Sequence, residues 1–142
     1  MAAKVEQNES GWSREGEYEG VSYRFDRAGN LVERKGDKET SFVWDGNQRL
    51  IESITNGYTT SYKYDPLGRR ICKETDGEVT RFYWDGNALM GDSRTEAVED
   101  SSTRLREFIY YPYTFEPLAM LQTHTRMKKP TGRRIFIYTT MT

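Results

Sequence analysis

YRFDRAGNLVER (residues 23–34), FVWDGNQRLIES (42–53), YKYDPLGRRICK (62–73) and FYWDGNALMGDS (82–93) are four copies of one pattern with a period of 19 or 20 residues. In each copy an aromatic residue, a spacer and a second aromatic residue precede an aspartate: Tyr23, Phe25 and Asp26; Phe42, Trp44 and Asp45; Tyr62, Tyr64 and Asp65; Phe82, Trp84 and Asp85. Residues two apart on an extended strand project from the same side, so these rings line one face of a sheet and form its candidate core. The aspartates Asp26, Asp45, Asp65 and Asp85 then cap turns, because a short carboxylate accepts hydrogen bonds from the backbone N–H groups just ahead of it. Gly29, Gly68 and the Gly-Asn pairs at 46–47 and 86–87 supply the positive φ that such turns need.

An apolar residue five positions after the aspartate, Leu31, Leu50 or Met90, marks a return strand in three copies. Arg70 stands there in the third copy, so either that turn is one residue longer or the site faces outwards. Between these turns lie Gly36-Asp37, Asn56-Gly57 and Asp76-Gly77. Asn-Gly and Asp-Gly are the preferred pairs of two-residue type I′ hairpins. The runs between turns, such as TSFVW, TTSYKY and VTRFYW, are β-branched and aromatic. The expected fold is all-β: an antiparallel up-and-down meander of tandem hairpins, forming an open or curled sheet. Residues 91–104, acidic and serine-containing, read as a loop or one short helical turn. LREFIYYP (105–112) and FEPLAML (115–121) read as two further strands, with Pro117 at an edge or bulge. This divides the chain into a polar segment (1–20), a repeat domain (21–121) and a basic tail (122–142).

With 142 residues the chain has the length of one modest domain. Charged residues make up 30%, yet aromatics reach 13%, a balance that suits half-buried strands. Residues 1–121 carry 16 basic and 22 acidic side chains, or −6, whereas the tail holds Arg126, Lys128, Lys129, Arg133 and Arg134 and no acid. An acidic body of this kind repels nucleic acid phosphates, and the basic run reads as a solvated end. Cys72, the single cysteine, excludes an intrachain disulfide framework and makes a reduced cytoplasm the expected place of synthesis. No apolar run has the length of a bilayer span, so membrane insertion is not expected.

Catalytic and metal chemistry find little to work with. Calcium loops need several oxygens converging within about a dozen residues, and each repeat turn offers one or two. Asp92, Glu96, Glu99 and Asp100 form the densest acidic group and read as a solvated loop. His124 is the single histidine, with no nucleophile placed beside it, and Cys72 in a strand reads as a small apolar side chain. No metal, cofactor, catalytic residue or phosphate-binding loop is therefore expected. Aromatic rows also stack on sugar rings; in that reading the exposed Tyr58 and Tyr113 are better candidates than the rings before each aspartate. An open sheet with one aromatic face and unpaired edges needs cover, from further repeats, a second sheet or another chain.

YDPLGRRI (64–71), RFYWDGNALMGD (81–92) and YYPYTFEPLAML (110–121), in that order, resemble the YD repeats that lead into the Rhs repeat-associated core. The resemblance covers Tyr23 to Leu121 and implies a β-sheet strip that spirals into a hollow shell around a toxic cargo. It also implies export by specialised machinery, often of type VI secretion, and a self-cleaving segment and toxin that this chain does not reach. Asp65-Pro66-Leu67-Gly68 looks like the short motif of that segment but lies inside a repeat and carries no protease role. Past FEPLAML the resemblance ends, and codons for IFIYTTMT read one base earlier allow a string of the family's kind. The tail beyond Leu121 is therefore expected to be out of frame or without order, the chain then being a truncated remnant. The alternative function is a carbohydrate- or protein-binding repeat module.

Overall fold

A computed structural model of the chain describes residues 3–8, 11–95, 102–126 and 129–137. Every element in these segments is a β-strand, strand order follows chain order, and the strands pair antiparallel. The meander implied by the turn spacing is the fold. Contacts divide it into two units, Met1–Tyr62 and Lys63–Thr142.

The first unit holds β1 (Ala3–Asn8), β2 (Gly11–Tyr18), β3 (Val21–Phe25), β4 (Leu31–Lys35), β5 (Thr40–Trp44), β6 (Leu50–Thr55) and most of β7 (Tyr58–Tyr64). The segment expected to be merely polar, residues 1–20, contains β1 and β2. Glu19-Gly20, with φ of 50° and 75°, makes the two-residue hairpin that joins β2 to β3. Asn56-Gly57 joins β6 to β7 in the same way, with φ of 50° and 83°. Both central residues have positive φ, the type I′ condition that matches strand twist. Gly36-Asp37 departs from expectation: residues 36–39 form a longer connection between β4 and β5, and φ at Gly36 is not positive. The pair runs Gly-Asp, the reverse of the order that type I′ favours.

The second unit continues with β8 (Arg70–Thr75), β9 (Glu78–Asp85), β10 (Ala88–Thr95), β11 (Ser102–Tyr110), β12 (Pro117–Arg126) and β13 (Lys129–Ile137). Asp76-Gly77, with φ of 49° and 74°, turns β8 into β9. Two sequence expectations change here. Residues 91–95 and 102–104 are strand, paired from Gly91↔Glu107 to Thr95↔Thr103, and not loop. The tail expected to lack order continues β12 to Arg126 and supplies β13, which pairs with β12 from Ala119↔Ile137 to Arg126↔Lys129. Threonines at 123 and 125 and the IFI run at 135–137 are strand formers, a local preference that outweighs the basic composition.

Covering is one-sided but thin. Along β9 the exposed residues Arg81, Tyr83 and Asp85 alternate with half-buried Phe82 and Trp84, and along β11 Leu105, Glu107 and Ile109 alternate with Arg104, Arg106, Phe108 and Tyr110. The period of two places the rings on the less exposed face. Among the described residues, the buried apolar side chains are Ala119 and Met120; Thr40, Ser53 and Asp92 are the buried polar ones.

Candidate functional site

Three of the four repeat turns share one construction. The amide of Asp26, Asp45 or Asp65 donates to the carbonyl four residues on (Asn30, Arg49, Arg69) at 2.9 Å, and the amide three residues on donates back to the aspartate carbonyl at 2.9–3.1 Å. Each carboxylate then accepts the amide of that fourth residue through Oδ1 at 2.8 or 2.9 Å, and its side chain through Oδ2. The second contact comes from Asn30 Nδ2 at 3.0 Å, Arg49 Nε at 2.8 Å and Arg69 Nε at 2.6 Å. The fourth residue is thus half of each cap, a role not read from the sequence.

These contacts hold all three carboxyls below the usual carboxylate range. For Asp45 the Arg49 amide is the largest cause, with burial opposing and the Arg49 guanidinium and Asn47 amide assisting. Burial pushes Asp65 and Asp26 upwards. It is outweighed at Asp65 by the Arg69 amide and guanidinium, and at Asp26 by the Asn30 side chain and amide.

The left-handed position of these turns is Gly29 (φ 90°), Gln48 (φ 59°) and Gly68 (φ 82°). In the second turn neither Gly46 nor Asn47 takes the positive φ expected of that pair. The fourth turn differs again: Asp85 ends β9 and pairs with Ala88 around Gly86-Asn87, where Gly86 alone has positive φ (52°), the dihedral order of a type II′ hairpin. This turn is one residue shorter, so Leu89, not Met90, pairs with Trp84 as Leu31 pairs with Phe25 and Leu50 with Trp44. Met90 is instead a bulge residue, 41% exposed, in the place taken by Val32 and Ile51.

Arg70 resolves differently from both sequence alternatives. Its turn has the common length, and its guanidinium lies over the Tyr64 ring at 5.8 Å with Nη2 3.4 Å from Tyr64 Oη, on the ring face.

The rings do more than fill space. Trp44 Nε1 donates to the Leu31 carbonyl at 2.7 Å and Trp84 Nε1 to the Arg70 carbonyl at 2.9 Å. Tyr110 Oη donates to the Leu89 carbonyl at 2.6 Å. Each polar ring thereby fastens its own strand to the start of the strand before it. Phe108 and Tyr110 form a fifth ring pair, unread in the sequence because Tyr111 replaces the aspartate. All eight predicted core rings, Tyr23, Phe25, Phe42, Trp44, Tyr62, Tyr64, Phe82 and Trp84, are half-buried. Tyr62 Oη meets Ser53 Oγ at 3.1 Å.

Asp92 corrects the reading of the acidic group. It is 1% exposed, and its carboxylate accepts Arg106 Nε at 3.0 Å and Nη2 at 2.6 Å across β10 and β11. Glu96, Glu99 and Asp100 lie outside the described residues. His124, half-buried in β12, has Nε2 at 2.6 Å from Gln122 Nε2, and Cys72 is a half-buried free thiol. Tyr58 and Tyr113 are exposed, at 64% and 107%, and Tyr113 holds a left-handed φ of 62°.

Residues 44–78 match the family model of the RHS Repeat. The chain is 36% identical over 115 aligned positions to Toxin protein Tse5 of Pseudomonas aeruginosa, taking in 72% of this chain and 8% of that protein. The chain belongs to the Rhs/YD-repeat family. Two more Rhs relatives are Probable deoxyribonuclease RhsB of Dickeya dadantii, 33% identical over 51% of this chain and 6% of that protein, and Double-stranded DNA deaminase toxin A of Burkholderia cenocepacia, 31% identical over 75% of this chain and 8% of that protein. The Rhs chain therefore spans less than a tenth of the length of these three relatives. The YD motif is the ring-and-aspartate turn described above. Among the described residues no helix is long and apolar enough to cross a membrane.

Proposed function

We propose that this chain is a wall segment of an Rhs-type shell, structural and without catalysis of its own, whose ring face is covered by polypeptide supplied by further repeats or by cargo. The observation that carries this reading is the ring face itself. Ring pairs recur along the strands, yet each ring stays half-buried, and buried apolar side chains among the described residues are few. An aromatic face of this kind is stable when something lies over it. In the parent, that cover includes a toxin cargo, as the names of the relatives suggest; synthesis is cytoplasmic, with delivery by specialised secretion of the type VI kind.

Sedimentation velocity across a hundredfold dilution, with 8-anilinonaphthalene-1-sulfonate fluorescence in parallel, tests the reading. The isolated chain is expected to self-associate and to bind the dye. A dilution-stable monomer that leaves the dye dark overturns it. The exposed Tyr58 and Tyr113 favour one competing reading, a carbohydrate-binding module, for which saturable glycan binding lost in Tyr113→Ala is the signature.

A further inference from the structure

Three arginines and one carboxylate occupy adjacent steps of the same ladder on the less exposed face of the second unit. At one step Asp92 faces Arg106 and the two form a bidentate pair. At the next step on that face, two residues along each strand, Arg94 faces Arg104. Opposite like charges in a sheet repel, so this step departs from the logic of its neighbour. Glu78 of β9 accepts Arg94 Nη2 on one side. On the other side β12 sets His124 opposite Arg104, which adds no carboxylate. Among the described residues, the Nε atoms of Arg94 and Arg104 are both shielded from solvent and find no hydrogen-bond partner. Shielded N–H donors of this kind cost free energy until an acceptor arrives.

We infer that the Arg94–Arg104 step, flanked by His124, is a receptor for one carboxylate of an acidic peptide segment lying across the ring face. A guanidinium fork matches a carboxylate in two parallel hydrogen bonds, and Asp92 on Arg106 shows that arrangement one step away. The surroundings select a single carboxylate over a polyanion. Asp92 and Glu78 interrupt the basic step, Phe82 stands one step along the same face and Phe108 and Met120 two steps along it, and residues 1–121 carry a net −6 (16 basic, 22 acidic) that repels a phosphate backbone. A peptide that places an aspartate between apolar side chains meets both features. This inference rests on the polypeptide-covered face proposed above and names the chemistry of the cover.

Fluorescence anisotropy of a fluorescein-labelled peptide, GLDFLG amide, titrated with the full chain tests it, beside the GLNFLG counterpart. The aspartate peptide is expected to bind saturably, and at least about tenfold more tightly than the asparagine peptide, the value of a charge-assisted hydrogen bond. Arg104→Gln is expected to lose that preference, whereas Arg27→Gln, in the exposed first repeat turn, keeps it. Arg104→Lys retains the stem and charge, so it serves if the glutamine variant fails to fold, and the lost fork is expected to weaken binding severalfold. Equal binding of the two peptides, or full preference in either Arg104 variant, overturns the inference. So does displacement of the peptide by inorganic phosphate at lower concentration than by acetate. Because the readout is the difference between two peptides, it is independent of the association state that tests the wall-segment reading.

Discussion

Asp92 and Arg106 face each other across β10 and β11, the carboxylate 1% exposed and held by Nε and Nη2 of one guanidinium at 3.0 and 2.6 Å. Arg106 also lies 5.8 Å from the centre of the Phe108 ring, which joins the ion pair to the ring row. Removing the cation leaves a buried anion, so Arg106→Met is expected to cost about 3–5 kcal/mol in denaturant titration, whereas the double variant Asp92→Leu/Arg106→Met recovers most of it. Equal losses in the single and double variants would place the cost in packing.

Gly91 sits beside the bulge at Met90, where the backbone of β11 comes close. A Cβ there would lie 2.3 Å from the Arg106 carbonyl oxygen. Gly91→Ala is therefore expected to cost at least about 1–3 kcal/mol, the usual range for overpacking. At Gly46 nothing lies within 4 Å of an added Cβ and φ is not positive. Gly46→Ala is expected to change stability by no more than about 0.5 kcal/mol.

Gln48 holds the left-handed dihedral that glycine holds in the first and third turns. A side chain costs about 1–2 kcal/mol in that region, and glycine returns part of the gain as chain entropy. Gln48→Gly is expected to raise the stability by about 0.5–1 kcal/mol. A lower melting temperature in this variant would show that the glutamine side chain contributes more than its dihedral costs.

How much of this was legible depended on distance along the chain. Ring pairs, aspartates and the Asn-Gly and Asp-Gly turns act within a few residues, and the meander follows from them. Asp92 and Arg106 stand 14 residues apart in sequence, across a stretch whose composition reads as loop, so their register was invisible and the carboxylate looked solvated. Gln48 was missed because Gly46-Asn47 offered more familiar turn residues one step earlier. The fifth ring pair, Phe108 and Tyr110, was hidden by the missing aspartate. Composition misled at both ends, where polar or basic strands β1, β2 and β13 pair through their backbones whatever their charge.

Acid should loosen the repeat turns. Asp26, Asp45 and Asp65 are held below the ordinary carboxylate value in the fold, so their caps contribute fully above that value and are lost as pH falls through the lower folded one. The melting temperature is expected to hold between about pH 7 and 5 and to fall below about pH 4. In the triple variant Asp26→Asn/Asp45→Asn/Asp65→Asn the fall is shallower. A stability that rises on acidification would contradict the assignment of these carboxylates as caps.

One-sided covering of the ring rows is open to direct measurement by maleimide labelling of single cysteines in a Cys72→Ser background. Placed at 42, 43, 44, 82, 83 and 84 in the associated chain, thiols at 43 and 83 are expected to react quickly and those at 42, 44, 82 and 84 slowly. Val43 and Tyr83 are 43% and 47% exposed, whereas their neighbours Phe42, Trp44, Phe82 and Trp84 are half-buried. Equal rates along each triplet would mean that both faces are open, and a wall segment with one covered side would no longer describe the chain.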